Sequence, residues 1–488
     1  MKVFIITEGS RFIGFGHITR CTSLYQAFEE KGILPLFLIN GDETVKDLLN
    51  NKNCEIFNWL TEEQKLFKFI ENADVVIMDS YLAGYELYEK ISSLVKVPVY
   101  LDDNKRIDYP RGIVVNAAVY ADELNYPDKK GVSYLLGSQY IPIRKEFWDV
   151  PEKEIKENIE KIMITFGGDD EKNMTPNILK LLNKNFSELT KKVVIGKGFK
   201  NIEQIEALNN AKTKLIYYPD AEGMKRVMLE SDMAISASGQ TLYELARIGL
   251  PTIAISVAEN QMNNLKGWQK AGFIEYAGSC DDEHVFSNVI QKLELLQDFG
   301  LRQEKSKNGR ALVDGLGAIR TVKHCIKTFF DNSLILRKAE IKDIYNIYEL
   351  SNDPDVRQNS FSPDRVELEN HKIWFANKLN NENCLFLVTE IDSRFAGQVR
   401  FDINGTEATI SISMSKQYRA IGAGKLSIQK ALHILYAENP TIQYVKSHIK
   451  KGNVHSISLF ESTGFQFVKE TLIKGQDAME YRYQFNNG

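Results

Sequence analysis

Cysteine is scarce and unpaired in this chain. Five thiols, Cys21, Cys54, Cys280, Cys325 and Cys384, are scattered over 488 residues, an odd number with no CxxC pair, which argues against a disulfide frame or a structural zinc site and reads as reduced core thiols. Long apolar runs are lacking too. No segment reaches membrane-spanning length, and Met1-Lys2-Val3 passes straight into a strand pattern without the charged, apolar and small-residue order of a secretory signal. A cytoplasmic protein with no membrane partner is expected. Positive charge is not in excess: 61 Lys+Arg stand against 65 Asp+Glu, a net charge of −4, and no long basic or basic-aromatic tract occurs. Nucleic acid is therefore not an expected partner. What remains is an ordinary globular composition, 43% hydrophobic and 26% charged, at a length that calls for about three domains.

From residue 1 to about 150, short β-rich runs alternate with helical stretches. Val3–Thr7, Leu34–Ile39, Val75–Met78, Val97–Leu101 and Val114–Val115 are the strand candidates, with a helix over Ile18–Lys31. The pattern predicts a parallel, doubly wound sheet, in which ligands bind beyond the carboxyl ends of the strands. Polar clusters fall at those ends: Gly14-Phe15-Gly16-His17 after the first, Asp79-Ser80-Tyr81 after the third and Asp102-Asp103 after the fourth. Gly14 and Gly16 permit tight backbone angles, the amides of the helix start suit a phosphate, and the imidazole of His17 can take a proton from water near neutral pH. The same loop would serve equally as a strand-to-helix turn in which His17 caps or packs, and Asp79 and Asp102 as helix caps. A dinucleotide fingerprint does not fit, because its third glycine would fall on Thr19.

The chain turns charged around Asp149-Val150-Pro151-Glu152-Lys153, where a domain boundary is expected. A second alternating region over residues 151–300 has strand candidates at Lys161–Phe166, Lys192–Ile195, Lys214–Tyr217, Met233–Ser236 and Thr252–Ile255. Its first strand ends in Gly167-Gly168-Asp169-Asp170, a second phosphate-facing loop. Ser236-Ala237-Ser238-Gly239-Gln240-Thr241-Leu242-Tyr243-Glu244 is the sharper signal: small residues close a strand, and the free amides of Gly239, Gln240 and Thr241 suit a pyrophosphate. Glu244, one turn into that helix, can accept from ribose hydroxyls or simply complement the helix dipole. Asn260-Gln261 can contact a neutral sugar or merely open the next helix.

In order, Ile13–Arg20, Asp79–Tyr81, Asp102-Asp103, Gly167–Asp169, Ser236–Glu244 and Asn260-Gln261 resemble the hydrolase of pseudaminic acid biosynthesis, a nucleotide-sugar enzyme of GT-B type. The resemblance covers about residues 1 to 300. It implies two Rossmann-like domains, 1–150 and 151–300, and a UDP-linked 2,4-diacetamido-2,4,6-trideoxy-β-L-altropyranose as substrate. His17 stands at that family's catalytic position. Gly14, Gly16, Arg20, Tyr81, Asp103, Gly168, Ser238, Gly239, Gln240, Thr241, Glu244, Asn260 and Gln261 become the implied substrate contacts. No metal is expected.

Residues 301–334 read as a connector of mixed helix and loop, including Gly315-Leu316-Gly317 and Thr328–Ser333. A third unit, 335–488, runs from a strand through helices to Asn377, then antiparallel strands at Cys384–Glu390 and Gly397–Phe401, an Asn404-Gly405 hairpin turn and a strand at Ala408–Met414. Arg419-Ala420-Ile421-Gly422-Ala423-Gly424 and a helix over Lys425–Tyr436 come next. Tyr444–Ile449 then leads to Asn453, the helix Ser456–Ser462 and Thr463-Gly464-Phe465. This order resembles GNAT-type N-acetyltransferases, an α+β fold. The resemblance implies acetyl-CoA as cosubstrate, held by Arg419, Ile421, Gly422, Ala423, Gly424, Lys425 and Asn453. Members of that family commonly carry a tyrosine that protonates the leaving thiolate. The matching residue here is Phe460, with Ser458 or water as the expected stand-in. Together the two resemblances imply a bifunctional enzyme that N-acetylates the 4-amine of a UDP-amino-sugar and then hydrolyses the product to UDP and free sugar.

Overall fold

The apolar runs at the start of the chain pair edge to edge. Strands β1 (Val3–Gly9), β2 (Leu36–Gly41), β3 (Cys54–Ile56), β4 (Val75–Asp79), β5 (Val97–Leu101), β6 (Gly112–Asn116) and β7 (Val132–Leu136) form a sheet in the order β3-β2-β1-β4-β5-β6-β7. Every pairing is parallel, and the central strands are buried on both faces, which is why they read as continuous apolar runs. The helix Gly16–Glu29 covers the sheet through Ile18, Cys21, Leu24, Tyr25 and Phe28, an apolar stripe at helical spacing. The computed structural model describes residues 1–10, 14–49, 52–258 and 261–485.

Strands β8 (Lys161–Thr165), β9 (Thr190–Ile195), β10 (Thr213–Tyr217), β11 (Met233–Ala237), β12 (Thr252–Ser256) and β13 (Ile274–Ser279) repeat the logic as a second parallel sheet, ordered β10-β9-β8-β11-β12-β13. Both sheets lie in one compact unit, Met1–Cys325. In each, the strand order reverses beside the first strand, between β1 and β4 and between β8 and β11. Ligands of doubly wound sheets bind at such switch points. In these two sheets the strands that escape the sequence pattern, β3, β7 and β13, are edge strands with few buried residues, none in β3, Leu135 in β7 and Ile274 and Ala277 in β13, so alternation and apolarity are both weak there.

The second unit, Ile326–Gly488, is a mixed sheet. Strands β14 (Leu334–Lys338), β15 (Cys384–Ile391), β16 (Arg394–Asn404), β17 (Glu407–Met414), β18 (Tyr444–Lys450), β19 (Gln466–Ile473) and β20 (Gln476–Gln484) lie in the order β14-β15-β16-β17-β18-β20-β19. Only β17 and β18 pair in parallel. Helices Ala423–Glu438 and Val454–Ser462 cover one face, with Ile428, Ala431, Leu435 and Phe460 packed on Val399, Phe401, Ile410, Val445 and Ile449.

Two expectations are corrected. The connector is two helices, Phe299–Leu312 and Gly317–Ser333, joined by a short loop at 313–316 that holds Gly315-Leu316 as expected, but Thr328–Ser333 belongs to the second helix. Ala318, Val322, Cys325, Phe329 and Phe330 are buried at helical spacing and carry the helix through a stretch whose polar ending suggested a loop. The five thiols are all free, but only Cys21 and Cys325 are buried. Cys54, Cys280 and Cys384 are half-buried.

Candidate active site

At the first switch point Gly14 lies back against the end of β1: its amide donates to the Ser10 carbonyl at 2.8 Å, and Gly14 sits at φ +86°, a conformation that a side chain would strain. The helix starting at Gly16 then aims His17 and Arg20 at the end of β4. His17 Nδ1 lies 2.7 Å from Asp79 Oδ1, while Arg20 reaches the same carboxylate through Nε and Nη2, each at 2.5 Å. The third arm of the guanidinium, Nη1, lies 2.8 Å from both oxygens of Asp103. Asp79 is 1% exposed at its side chain. Burial alone would raise its pKa, but the charge of Arg20 and the hydrogen bonds from Arg20 and His17 outweigh burial and hold the carboxyl well below the usual range.

An ionised Asp79 can only accept, so the short contact fixes the proton on His17 Nδ1 and leaves Nε2 with its lone pair. Arg20 Nη2 also stands 3.2 Å from Nδ1, but its hydrogen bond is directed to Asp79 at the shorter distance. In its neutral form this imidazole can take a proton at Nε2, with a carboxylate behind it to stabilise the imidazolium. Tyr81 closes the group from the solvent side, its ring edge-on to His17 with centroids 4.7 Å apart and its hydroxyl donating to Asp103 at 2.5 Å. Burial and the Asp103 charge raise the phenol pKa, so this donor stays protonated. Glu8 at the end of β1 supports Tyr81 from below. It accepts the Tyr81 amide at 2.7 Å and the Ser80 hydroxyl.

The second switch point supplies the glycine loops. Gly167 and Gly168 follow β8, with open space where their side chains would project. Asp170 is turned to structure: it accepts the amides of Met174 and Thr175 at 2.9 Å each and so caps the helix Met174–Asn185. After β11, the Leu242 amide makes the first intrahelical bond, to Gly239, so the amides of Gly239, Gln240 and Thr241 have no acceptor within the helix. Ser238 is buried and donates to the Ile255 carbonyl at 3.1 Å, a structural bond. Gln261 accepts the Val257 amide at 3.1 Å. Ile13 and Asn260 lie outside the described residues.

The first half reaches the second through the segment around Pro142–Phe147. Gln240 Nε2 donates to the Pro142 carbonyl at 3.1 Å, and Arg144 grips both oxygens of Glu244, at 2.6 and 2.7 Å. A cavity of about 40 Å³ lies between the halves, lined by Arg20, Asp103, Ala118, Pro142, Gln240 and Tyr243. The structure thus brings His17, Arg20, Tyr81 and Asp103 into one cluster, and Gln240 into the cavity wall that Arg20 and Asp103 share. Glu244 is engaged by Arg144, so a ribose contact would use its remaining lone pairs. Sequence reasoning raised Asp79 only as a candidate and missed Glu8 and Arg144. Asp79 and Glu8 could have been found as acids closing apolar strands at a switch point. Arg144 could not, since it meets a residue a hundred positions away.

In the second unit, β17 and β18 pair at only three positions, Glu407 with Tyr444, Ala408 with Val445 and Thr409 with Lys446. Beyond these, β17 stays paired to β16 as far as Met414 and β18 to β20 as far as Lys450. A wedge opens between them. The loop after β17 delivers Gly422 at φ +100°, with open space at its Cβ position, as the cap of the helix Ala423–Glu438. Ala423 and Gly424 are buried, Ile421 is half-buried and Lys425 is exposed. Arg419 holds the loop in place: it donates to the Met414 carbonyl at 2.8 Å and pairs with Asp353 and Asp355 at 2.9 and 2.7 Å. Asn453 caps the helix Val454–Ser462, accepting the Ser456 amide at 3.1 Å. Phe460 is buried edge-on to Phe465, with centroids 4.9 Å apart. Ser458 does not stand in for the missing tyrosine. It is exposed, and two residues along a helix place it about 200° around from Phe460.

Among the described residues no group of three or more His, Cys, Asp or Glu side chains could hold a metal ion, and no helix is long and apolar enough to cross a membrane. Residues 161–315 match the glycosyltransferase family 28 C-terminal domain and residues 333–466 the acetyltransferase (GNAT) domain. An uncharacterized protein of Methanocaldococcus jannaschii is 24% identical over the whole of both chains. A UDP-2,4-diacetamido-2,4,6-trideoxy-β-L-altropyranose hydrolase of Campylobacter jejuni is 27% identical over 57% of this chain and 99% of its own. A Helicobacter pylori protein named as pseudaminic acid cytidylyltransferase and the same hydrolase is 23% identical over 60% of this chain and 52% of its own. The chain is a fusion of a GT-B-like pair of Rossmann-like domains, homologous to these pseudaminic acid pathway hydrolases, with a GNAT acetyltransferase domain.

Proposed function

We propose that the first unit hydrolyses UDP-2,4-diacetamido-2,4,6-trideoxy-β-L-altropyranose to UDP and the free sugar, and that the second acetylates the 4-amine of the precursor UDP-amino-sugar from acetyl-CoA, both in the cytoplasm. The observation that carries the first half is the His17–Asp79 pair, an imidazole whose tautomer leaves Nε2 free to deprotonate water. That water attacks the anomeric carbon. Charge developing on the leaving UDP is held by the amides of Gly239, Gln240 and Thr241, with Gly14, Gly16 and Gly168 keeping the backbone clear of the phosphates. Arg20, Tyr81, Asp103, Ser238, Glu244, Asn260 and Gln261 complete the substrate contacts. Asp79 and Asp103 are both bound by Arg20, so neither is free as a nucleophile, and a single displacement with inversion follows.

The wedge between β17 and β18, with the open turn at Gly422, supports acetyl-CoA binding. Arg419, Ile421, Ala423, Gly424, Lys425 and Asn453 shape that site. Incubating the protein with UDP-amino-sugars, with and without acetyl-CoA, and following products by mass spectrometry tests the whole reading: acetylation must precede UDP release. The family 28 match favours one second reading, a glycosyltransferase in which His17 activates a sugar hydroxyl. UDP released without any acceptor separates hydrolysis from transfer.

Phe460 gives a further expected outcome. A thiolate resembling that of a cysteine, with a thiol pKa near ~8.5, is a tolerable leaving group without a positioned acid. Phe460→Tyr should therefore change the acetylation rate by less than about tenfold, under ~1.4 kcal/mol of barrier. Steady-state acetyl-CoA consumption measures it, and a larger gain would mean that the natural domain is limited by thiolate protonation.

A further inference from the structure

We propose that His448 is the base that takes the proton from the acceptor amine of the acetyltransferase unit, an assignment that rests on the acetyl-transfer reading above. Its position follows from the wedge. Val445 and Ile449 of β18 point into the core under the helix Ala423–Glu438, so Lys446, His448 and Lys450 project from the opposite face of the sheet. Lys446 is the last residue of β18 paired with β17, and His448 is the next side chain on its face, the first beyond the point where the strands part.

The mouth of the wedge is bridged on this side. The helix Pro354–Asn359 is tied to the loop after β17 by the pairs of Arg419 with Asp353 and Asp355, and to the end of β18 by Lys450 Nζ, which donates to the Gln358 carbonyl at 2.9 Å. An acceptor entering between the strands passes beneath that helix and over His448.

The imidazole is equipped for the task. It is 24% exposed at its side chain, so it is reachable, and Nε2 lies 3.9 Å from Glu480, its direct cross-strand neighbour on β20. Glu480 cannot act itself, because it is nearly buried and already pairs with Arg482 at 3.0 Å and Lys469 at 3.8 Å. The charged groups facing His448 are thus Glu480, Arg482, Lys446, Lys450 and Lys469. Burial lowers its pKa, and Lys446 and Lys469 add to the fall against an opposing push from Glu480, which keeps the ring neutral and receptive at neutral pH. The unit's other imidazoles stand elsewhere. His371 is buried against the Ile344 carbonyl, and His433 and His455 are exposed on helices.

The step balances without a further reagent. The acceptor ammonium gives one proton to the His448 imidazole, its lone pair forms the C–N bond at the thioester carbonyl, and the C–S bond breaks with the electron pair leaving on sulfur. The nitrogen loses a second proton as the amide forms. One of the two protons ends on CoA sulfur and the other in solvent.

The test follows acetyl-CoA consumption by the full-length protein with a UDP-4-amino-sugar from pH 6 to pH 10, for wild type and His448→Gln. A fall of about tenfold or more in kcat/KM at pH 7 is expected, with the KM for acetyl-CoA unchanged. The loss should shrink as pH rises and free amine accumulates. UDP release from pre-acetylated substrate should be unaltered, which reports that the chain is folded, and His448→Asn read in the same way covers any disturbance of the sheet by glutamine. A loss that is equal at every pH, or no loss, overturns the assignment of His448. A wild-type protein that consumes no acetyl-CoA with any UDP-amino-sugar overturns the acetyl-transfer reading, and the base with it.

Discussion

His17→Asn should lower UDP release by more than about a hundredfold while acetyl transfer continues, the scale expected for losing a positioned general base. Asparagine keeps a polar group of similar reach beside Asp79, but its amide cannot take a proton from water. The helix that carries His17 is anchored by Ile18, Cys21 and Leu24 rather than by the imidazole, so the fold should survive. Release of UDP from the diacetamido substrate, measured alongside acetyl-CoA consumption by the same preparation, separates loss of the base from loss of the protein. Hydrolysis near the wild-type rate in a folded variant would remove His17 from the mechanism.

Asp79→Asn should be nearly as damaging, by about a hundredfold to ten-thousandfold, through a different cause. An asparagine amide turned toward His17 donates to Nδ1, which moves the imidazole proton to Nε2 and leaves no lone pair for water. Arg20 meanwhile loses one of its two carboxylates and remains 14% exposed beside Asp103 alone. Stability carries its own signature. The Asp79 pKa is depressed in the folded state, burial being outweighed by Arg20 and His17, so its contribution is fully present above the unfolded carboxyl pKa of about 4 and is lost as pH falls through the lower folded value. Thermal unfolding between pH 3 and pH 7 should therefore show a weaker pH dependence for Asp79→Asn than for wild type. If the variant keeps full hydrolysis, the carboxylate does not set the tautomer of His17.

Much of this arrangement was legible in the chain, and the exceptions share physical causes. β1, β4, β5, β8 and β12 are buried on both faces, so each announces itself as an apolar run, and the polar residues that close those runs mark the ligand side of the sheets. His17 was visible for that reason. Asp79 was visible as a residue but not as a partner, because its role depends on β4 lying next to β1, a pairing between positions 72 residues apart that brings Asp79 to His17. Arg144 and Glu244 meet across the two halves, and no local pattern foretells that contact. In the acetyltransferase unit, the glycines at 422 and 424 were legible as a loop chemistry, whereas the fixing of Arg419 by Asp353 and Asp355 was not. The reading of Ser458 failed because spacing along a helix decides which side a hydroxyl faces, and two residues is the wrong spacing.

The central claim is that His17 directs water to the anomeric carbon, and the bond that breaks tests it most directly. Hydrolysis of the UDP-diacetamido-sugar in oxygen-18 water, with the UDP analysed by mass spectrometry, should give UDP without label, since attack at carbon leaves the bridging oxygen on the β-phosphate. Oxygen-18 in the UDP would mean attack at phosphorus and would contradict the account.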